Sequence, residues 1–203
     1  MQNQNFDAKM RERLLRLMMS ALDFRHSLSA ATFLLEDCDW SKPQRIEELR
    51  RLKCFETTMV VAYGRPFTQA RGHTAPFRWN QIKPGFQMEP SEATIHGKLI
   101  NYRNKLHAHS DGDFTQIAPE IWRTRLPNGE DFDFLAVRRG ENLVFTEHEA
   151  QVIHTFLWKV RHHIDDAIQS HPGPRDHIPV VIRDVFGGGV EKAAVATDHS
   201  RPS

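Results

Sequence analysis

The sequence predicts a mainly α protein, an up-and-down helical bundle with a small β-hairpin inserted before the last helix. Three observations carry this reading. Apolar residues recur at spacings of three and four along stretches beginning near residues 7, 41, 91 and 146, the period of helices that each turn one face to a core. Between residues 114 and 145 the pattern shifts toward alternation around a Pro127-Asn128-Gly129 turn, which signals a hairpin. Only a few residues join the first two helical stretches, so these should lie side by side and antiparallel.

The 203 residues suit one domain over 6–170, holding an irregular loop at 65–90 and the hairpin at 114–145, followed by a partly flexible extension at 171–203. Lys plus Arg number 27 against 26 Asp plus Glu, a net charge of +1. That excludes a global basic field for nucleic acid, so any RNA contact has to be local or fall at a dimer seam. The two cysteines, Cys38 and Cys54, have neither metal-site nor disulfide-framework spacing and fit a reducing compartment. No apolar signal core opens the chain and no run approaches the roughly 20 apolar residues of a membrane helix, so a cytoplasmic, non-membrane protein is expected.

The first helix is expected over 7–37, as one long helix or two with a kink, with Leu14, Leu17, Met18, Ala21, Leu22, Leu28, Ala31, Phe33 and Leu35 as its apolar stripe. Arg11, Arg13 and Arg16 are placed on its solvent side, as an ordinary polar face or a secondary RNA contact. A second helix is expected over 41–63, capped by Ser41 with Pro43 in the first turn and stopped by Gly64. Ile46, Leu49, Leu52, Cys54 and Phe55 supply its buried side. The loop over 65–90 carries Pro66, Pro76, Pro84 and Pro90 together with Phe67, Phe77, Trp79 and Phe86. Those aromatics either pin the loop to the bundle or, with Arg71, Arg78 and Lys83, grip a single strand.

The third helix begins at an Ser91 N-cap with Glu92 in the first turn, Pro90 closing off anything upstream, and Ile95, Leu99, Tyr102 and Leu106 form its inward stripe. After the hairpin, a turn at 140–142 leads to a short strand over 143–145. Thr146 with Glu149 is a capping box that starts a last helix to about Ser170, with Val152, Ile153, Phe156, Leu157, Val160, Ile164 and Ile168 inward and His154, His162 and His163 at the surface. Beyond it, one strand or a docking peptide over 180–186 and a flexible tail from Val190 are expected.

The chemistry concentrates in Arg103-Asn104-Lys105-Leu106-His107-Ala108-His109-Ser110-Asp111, at the end of the third helix. Arg103 and His107, four apart, share a face, and His109 lies about 120° away unless the turn before Gly112 frays and lets it swing back. Guanidinium forks onto phosphate oxygens and stays charged at any relevant pH. Imidazole takes or gives a proton near neutrality, a service worth about 10² to 10⁴ in rate. Asn104 is suited to orienting phosphate or ribose, and Lys105 adds positive field. These residues thus suit metal-independent phosphodiester cleavage. Structural alternatives stand beside this: Arg103 paired with Asp111 or another carboxylate, and His109 as a C-terminal cap. His96, His107, His109 and Asp111 also offer metal ligands, but the rings diverge at a helix end and no distant ligand set is identifiable, so no metal or cofactor is expected.

This run resembles the RNK-x-x-AH-x-D signature of HEPN-like proteins, with the family arginine at Arg103, its polar follower at Asn104 and its histidine at His109. His107 falls where that family is variable. The resemblance implies a four- to five-helix bundle that forms a homodimer with two motifs facing each other, and a metal-independent endoribonuclease leaving a 2′,3′-cyclic phosphate on RNA. It also implies a setting in toxin–antitoxin, phage-defence or stress systems, with a cognate antitoxin as a partner. The segment Ala62-Tyr63-Gly64-Arg65-Pro66-Phe67 resembles the helix end that precedes this motif in such proteins, which makes Arg65 a second candidate cation; the alternative is a helix-terminal arginine complementing the dipole. The competing function class is a non-catalytic helical module that dimerises or binds a partner.

Overall fold

The computed structural model describes residues 2–68, 75–108, 117–139, 142–172, 181–183 and 190–192. Among them are four α-helices, α1 (Gln2–Asp37), α2 (Ile46–Gly64), α3 (Pro90–Ala108) and α4 (Glu147–Gln169), and two hairpins. The chain divides into two compact units, Glu12–His171, and Met1–Arg11 together with Pro172–Ser203. In the second of these, β3 (Val181–Arg183) pairs antiparallel with β4 (Val190–Lys192). The expected flexible tail therefore begins with a strand at Val190. No helix among the described residues is long and apolar enough to cross a membrane.

In the larger unit the helices enclose one core. From α1, Leu17, Phe24, Leu28, Ala31 and Leu34 are buried at spacings of three, four and seven, and they meet Leu52, Met59, Val60 and Tyr63 of α2. Ile95, Leu99 and Tyr102 of α3 and Ile153, Phe156, Leu157, Val160 and Ile164 of α4 complete it. The helix α1 is one unbroken element and carries a second apolar stripe: Leu15, Met18, Met19, Leu22 and Phe33 are exposed. Met18, Leu22 and Phe33 thus leave the expected core. Arg16 goes the other way. It is buried, its Nη2 donates to the Pro66 carbonyl, and burial pulls its pKa down against the opposing pull of Asp23.

The start of α2 is also corrected. Ser41 donates its backbone N–H and hydroxyl to Asp39, which Lys42 also bridges, and these bonds hold the Asp39 carboxyl at about 2. Ser41 is therefore spent on a turn, and α2 begins five residues later, where Glu48 reaches back to the backbone N–H of Arg45. Ile46 and Cys54 are exposed instead of buried. A similar reach-back starts α3: Glu89 donates its N–H to the Glu92 carboxylate at 2.7 Å, so Pro90 opens the helix and Ser91 is inside it. The capping box of α4 forms as expected, with Thr146 Oγ1 accepting from Glu149 N at 3.3 Å and Glu149 Oε2 accepting from Thr146 N at 3.0 Å.

The loop after α2 contains two 3₁₀ turns, Arg65–Phe67 and Trp79–Ile82. Phe77 and Phe86 are buried, and Trp79 stacks on Phe86 with ring centroids 4.9 Å apart. These aromatics pin the loop to the bundle. Arg78 is exposed; Arg71 and His73 lie outside the described residues. Residues 142–145 are not a strand; the carboxylate of Glu56 accepts from Val144 and Phe145, and Lys53 donates to the Asn142 carbonyl. Of the three histidines placed at the surface of α4, His162 is exposed, while His163 is half-buried with its ring 5.6 Å from that of Phe86.

The larger hairpin matches its expected turn. Strand β1 (Ile117–Arg125) pairs antiparallel with β2 (Asp131–Arg139), and Gly129, at a φ of 87°, takes the left-handed position that only glycine adopts at little cost. Both faces remain open. Ile121 and Leu135 on one side and Trp122 and Phe132 on the other are more than half exposed.

Candidate functional site

The site is built where α2 ends against α3. Gly64 ends α2 as expected, but not through a left-handed turn: its φ of −76° and ψ of −22° are helical and the chain passes directly into the 3₁₀ turn. Its role is space. A Cβ at Gly64 would lie 2.6 Å from Cγ of Arg103 and 3.0 Å from its Cδ. The stem of Arg103 therefore lies directly on the backbone of α2, at a distance no side chain at 64 would permit. Its Nη1 donates to Oδ1 of Asn104 at 3.0 Å, and its Nε is buried with no hydrogen-bond partner among the described residues. The stem is thereby fixed and the guanidinium held by its neighbour in sequence.

Asn104 is exposed and Lys105 half-buried. Arg65, next to that glycine, turns its guanidinium toward Asp23 of α1 at 3.6 Å, where burial raises the Asp23 pKa and Arg65 opposes the rise. Arg65 is thus engaged with a carboxylate on α1. The helix α3 continues through Ala108, so the backbone of His107 stands one turn beyond Arg103 on the same side. The side chains at 106–108 and all of 109–116 lie outside the described residues, and with them His109, Asp111 and the fraying expected before Gly112. Among the described residues, no three of His, Cys, Asp and Glu gather as a metal site would require.

His96 was weighed only as a metal ligand. It stands two turns before Arg103 on the same side of α3, and its Nδ1 shares a 2.6 Å hydrogen bond with the hydroxyl of Tyr63, the residue before Gly64. Phe67 and Trp79 surround the ring, with centroids 5.1 and 5.5 Å away. This pair, a buried tyrosine and a half-buried histidine, ties α3 to α2 near the Arg103–Gly64 contact. The spacing of seven between His96 and Arg103 was visible; the tyrosine that gives it meaning was not.

Burial pushes the His96 pKa below its ordinary 6.5. A histidine depressed in the folded state binds fewer protons there than when unfolded, so its contribution is complete above 6.5 and is lost as pH falls toward the folded value. Urea unfolding midpoints of the protein should therefore fall as pH drops below about 6.5. In His96→Gln that part of the slope should be absent, whatever the variant's absolute stability.

Compared with family models, curated proteins and solved structures, this chain matches none of them.

Proposed function

We propose that this chain is a HEPN-like protein with a four- to five-helix bundle, acting in the cytoplasm as a homodimeric, metal-independent endoribonuclease of a toxin–antitoxin, phage-defence or stress system. The observation that carries the reading is the seating of Arg103 on Gly64, with its guanidinium bonded to Asn104. A cation meant to meet a scissile phosphate benefits from being fixed before substrate arrives, because ordering a free arginine would cost binding energy. Asn104 is the polar follower of that motif.

In the reaction, His109, or His107 in its place, takes the proton of a ribose 2′-OH. The 2′-oxygen attacks the adjacent phosphorus, the 5′-oxygen leaves and receives a proton from the second imidazole, and a 2′,3′-cyclic phosphate remains. Arg103 neutralises the charge that grows on the non-bridging oxygens, and Lys105 adds to the field. With the formal charge balanced over the chain, RNA affinity has to come from this patch and from its copy in the dimer.

A second reading, a non-catalytic dimerisation or binding module, is favoured by the exposed apolar hairpin, a surface suited to another chain. One experiment separates the two. The full chain, Arg103→Ala and His109→Ala are each incubated with mixed RNA, with and without EDTA, and ends are assayed for cyclic phosphate. Cleavage by the parent alone is the expected result. Equal silence from all three with the dimer intact supports the module, and parent activity abolished by EDTA overturns the metal-independent chemistry.

A further inference from the structure

We propose that the outer edge of β2 is the surface on which a second copy of this chain docks, two β2 strands pairing antiparallel about a two-fold axis through Leu135 to make a four-stranded sheet. The proposal rests on the homodimer named above but not on RNA cleavage. It starts from the turn. Leu126 donates its N–H to the Glu130 carbonyl at 2.8 Å, and its own carbonyl accepts from Gly129 N at 2.9 Å. Residues 126 and 130 are therefore a hydrogen-bonded pair. Counting back by twos along the register, Thr124 with Phe132, Trp122 with Phe134 and Glu120 with Ala136 also bond inward.

The remaining positions point their N–H and C=O groups away from the partner strand. On β2 these are Asp131, Asp133, Leu135, Val137 and Arg139; on β1 they include Pro119, which has no N–H to offer. The β1 edge is thus interrupted at its third residue. The β2 edge is intact over nine residues, with no proline, glycine or lysine to blunt it, and the sheet has only these two strands among the described residues.

The sequence of β2 is complementary to itself. It has acids at 131 and 133 and arginines at 138 and 139, so reversal about Leu135 sets Asp131 against the second copy's Arg139 and leaves no like charges opposed. All five outward residues then find partners. An axis through Asp133 would oppose two aspartates, and one through Val137 would pair only three outward positions. The central contact would be leucine on leucine, flanked by Val137, at positions now 74% and 51% exposed. Arg123 and Arg125 already hold Asp133 and Asp131 at 2.7 and 2.8 Å on the same face, which fixes the acids in place. An isolated two-stranded ribbon is marginal in water, and a third and fourth strand remedy that.

The test uses the full chain by sedimentation, with far-UV circular dichroism to confirm folding. The parent should be a dimer, and Leu135→Lys, which sets two ammonium groups face to face at a solvent-exposed position, should weaken dimerisation at least about tenfold. In a Cys54→Ser background, Leu135→Cys should give a disulfide-linked dimer on mild oxidation, whereas Thr124→Cys, on β1 and so on the outer strand away from the seam, should not. A monomeric parent at roughly 100 μM, a concentration at which even weak micromolar dimers form, would overturn both the dimer and this edge. A dimer that is indifferent to Leu135→Lys and forms no disulfide through Leu135→Cys would overturn the edge alone.

Discussion

Truncating Glu56 to alanine is expected to cost the larger unit about 3–5 kcal/mol, more than any single apolar truncation at its margin, because a buried charge network is opened on one side only. Glu56 is fully buried on α2. Its Oε1 accepts from the backbone N–H groups of Val144 and Phe145 at 2.6 and 3.1 Å, and its Oε2 from Nζ of Lys53 at 2.7 Å. Burial alone would lower the Lys53 pKa, yet the net shift is upward, because its hydrogen bonds and charge contacts with Glu56 and Tyr102 together outweigh desolvation. The lysine also donates to the carbonyl of Asn142 at 2.9 Å. One carboxylate thus holds the strap from 142 to 145 that delivers the chain to the cap of α4.

Alanine leaves two N–H groups and an ammonium without their acceptor, each with its own desolvation cost. At about 2–4 °C per kcal/mol for a domain of this size, the melting temperature should fall by on the order of 10 °C. Glu56→Gln keeps an acceptor for Val144 and Phe145 but not the charge, so its loss should be clearly smaller. Calorimetry of the two variants checks the ordering. Equal losses would mean that the backbone bonds matter little beside the ion pair.

The contrast between what the sequence disclosed and what it hid follows from range. The turn at Gly129 and the capping box at Thr146 were legible because each motif is satisfied within four residues of itself. The start of α2 was not, since Ser41 is an equally good partner for an aspartate two residues back, and composition does not say which wins. On α1, two apolar stripes run side by side, and periodicity names both as candidates for one core. Arg16 looked like a surface residue because the carbonyl it serves belongs to a turn 50 positions away. Glu56 gave no signal at all: a carboxylate on a helix reads as solvated until its donors come into view.

The run at Arg103 stands out in the sequence as a candidate for chemistry, but its mechanical support does not. Gly64 has the appearance of a stop signal, and only the crossing of α2 with α3 shows that it makes room for the arginine.

That distinction yields the second large effect. On the proposed mechanism, Arg103→Ala should lower RNA cleavage by about a hundredfold to a thousandfold, the scale on which a single transition-state donor acts, with folding intact because the side chain is only half-buried. Gly64→Ala changes no reacting group, yet its methyl would stand 2.6 Å from Cγ of Arg103 and 3.3 Å from its Cβ, atoms too near the backbone of α3 to swing clear. Either the arginine leaves its rotamer or the two helices separate, at a cost of about 1–3 kcal/mol in stability. A displacement of about 1 Å at the phosphate-binding group is enough to cost roughly a hundredfold in rate. Gly64→Ala should therefore reduce kcat by about that factor, and adding it to Arg103→Ala should reduce activity no further, because the group it displaces is already gone. Stability supplies the control: the overpacking penalty of Gly64→Ala should shrink in the Arg103→Ala background, where the stem it strikes is absent. If the two substitutions instead add in full, on activity and on unfolding alike, the arginine does not depend on that glycine and its fixed position is not what the chemistry uses.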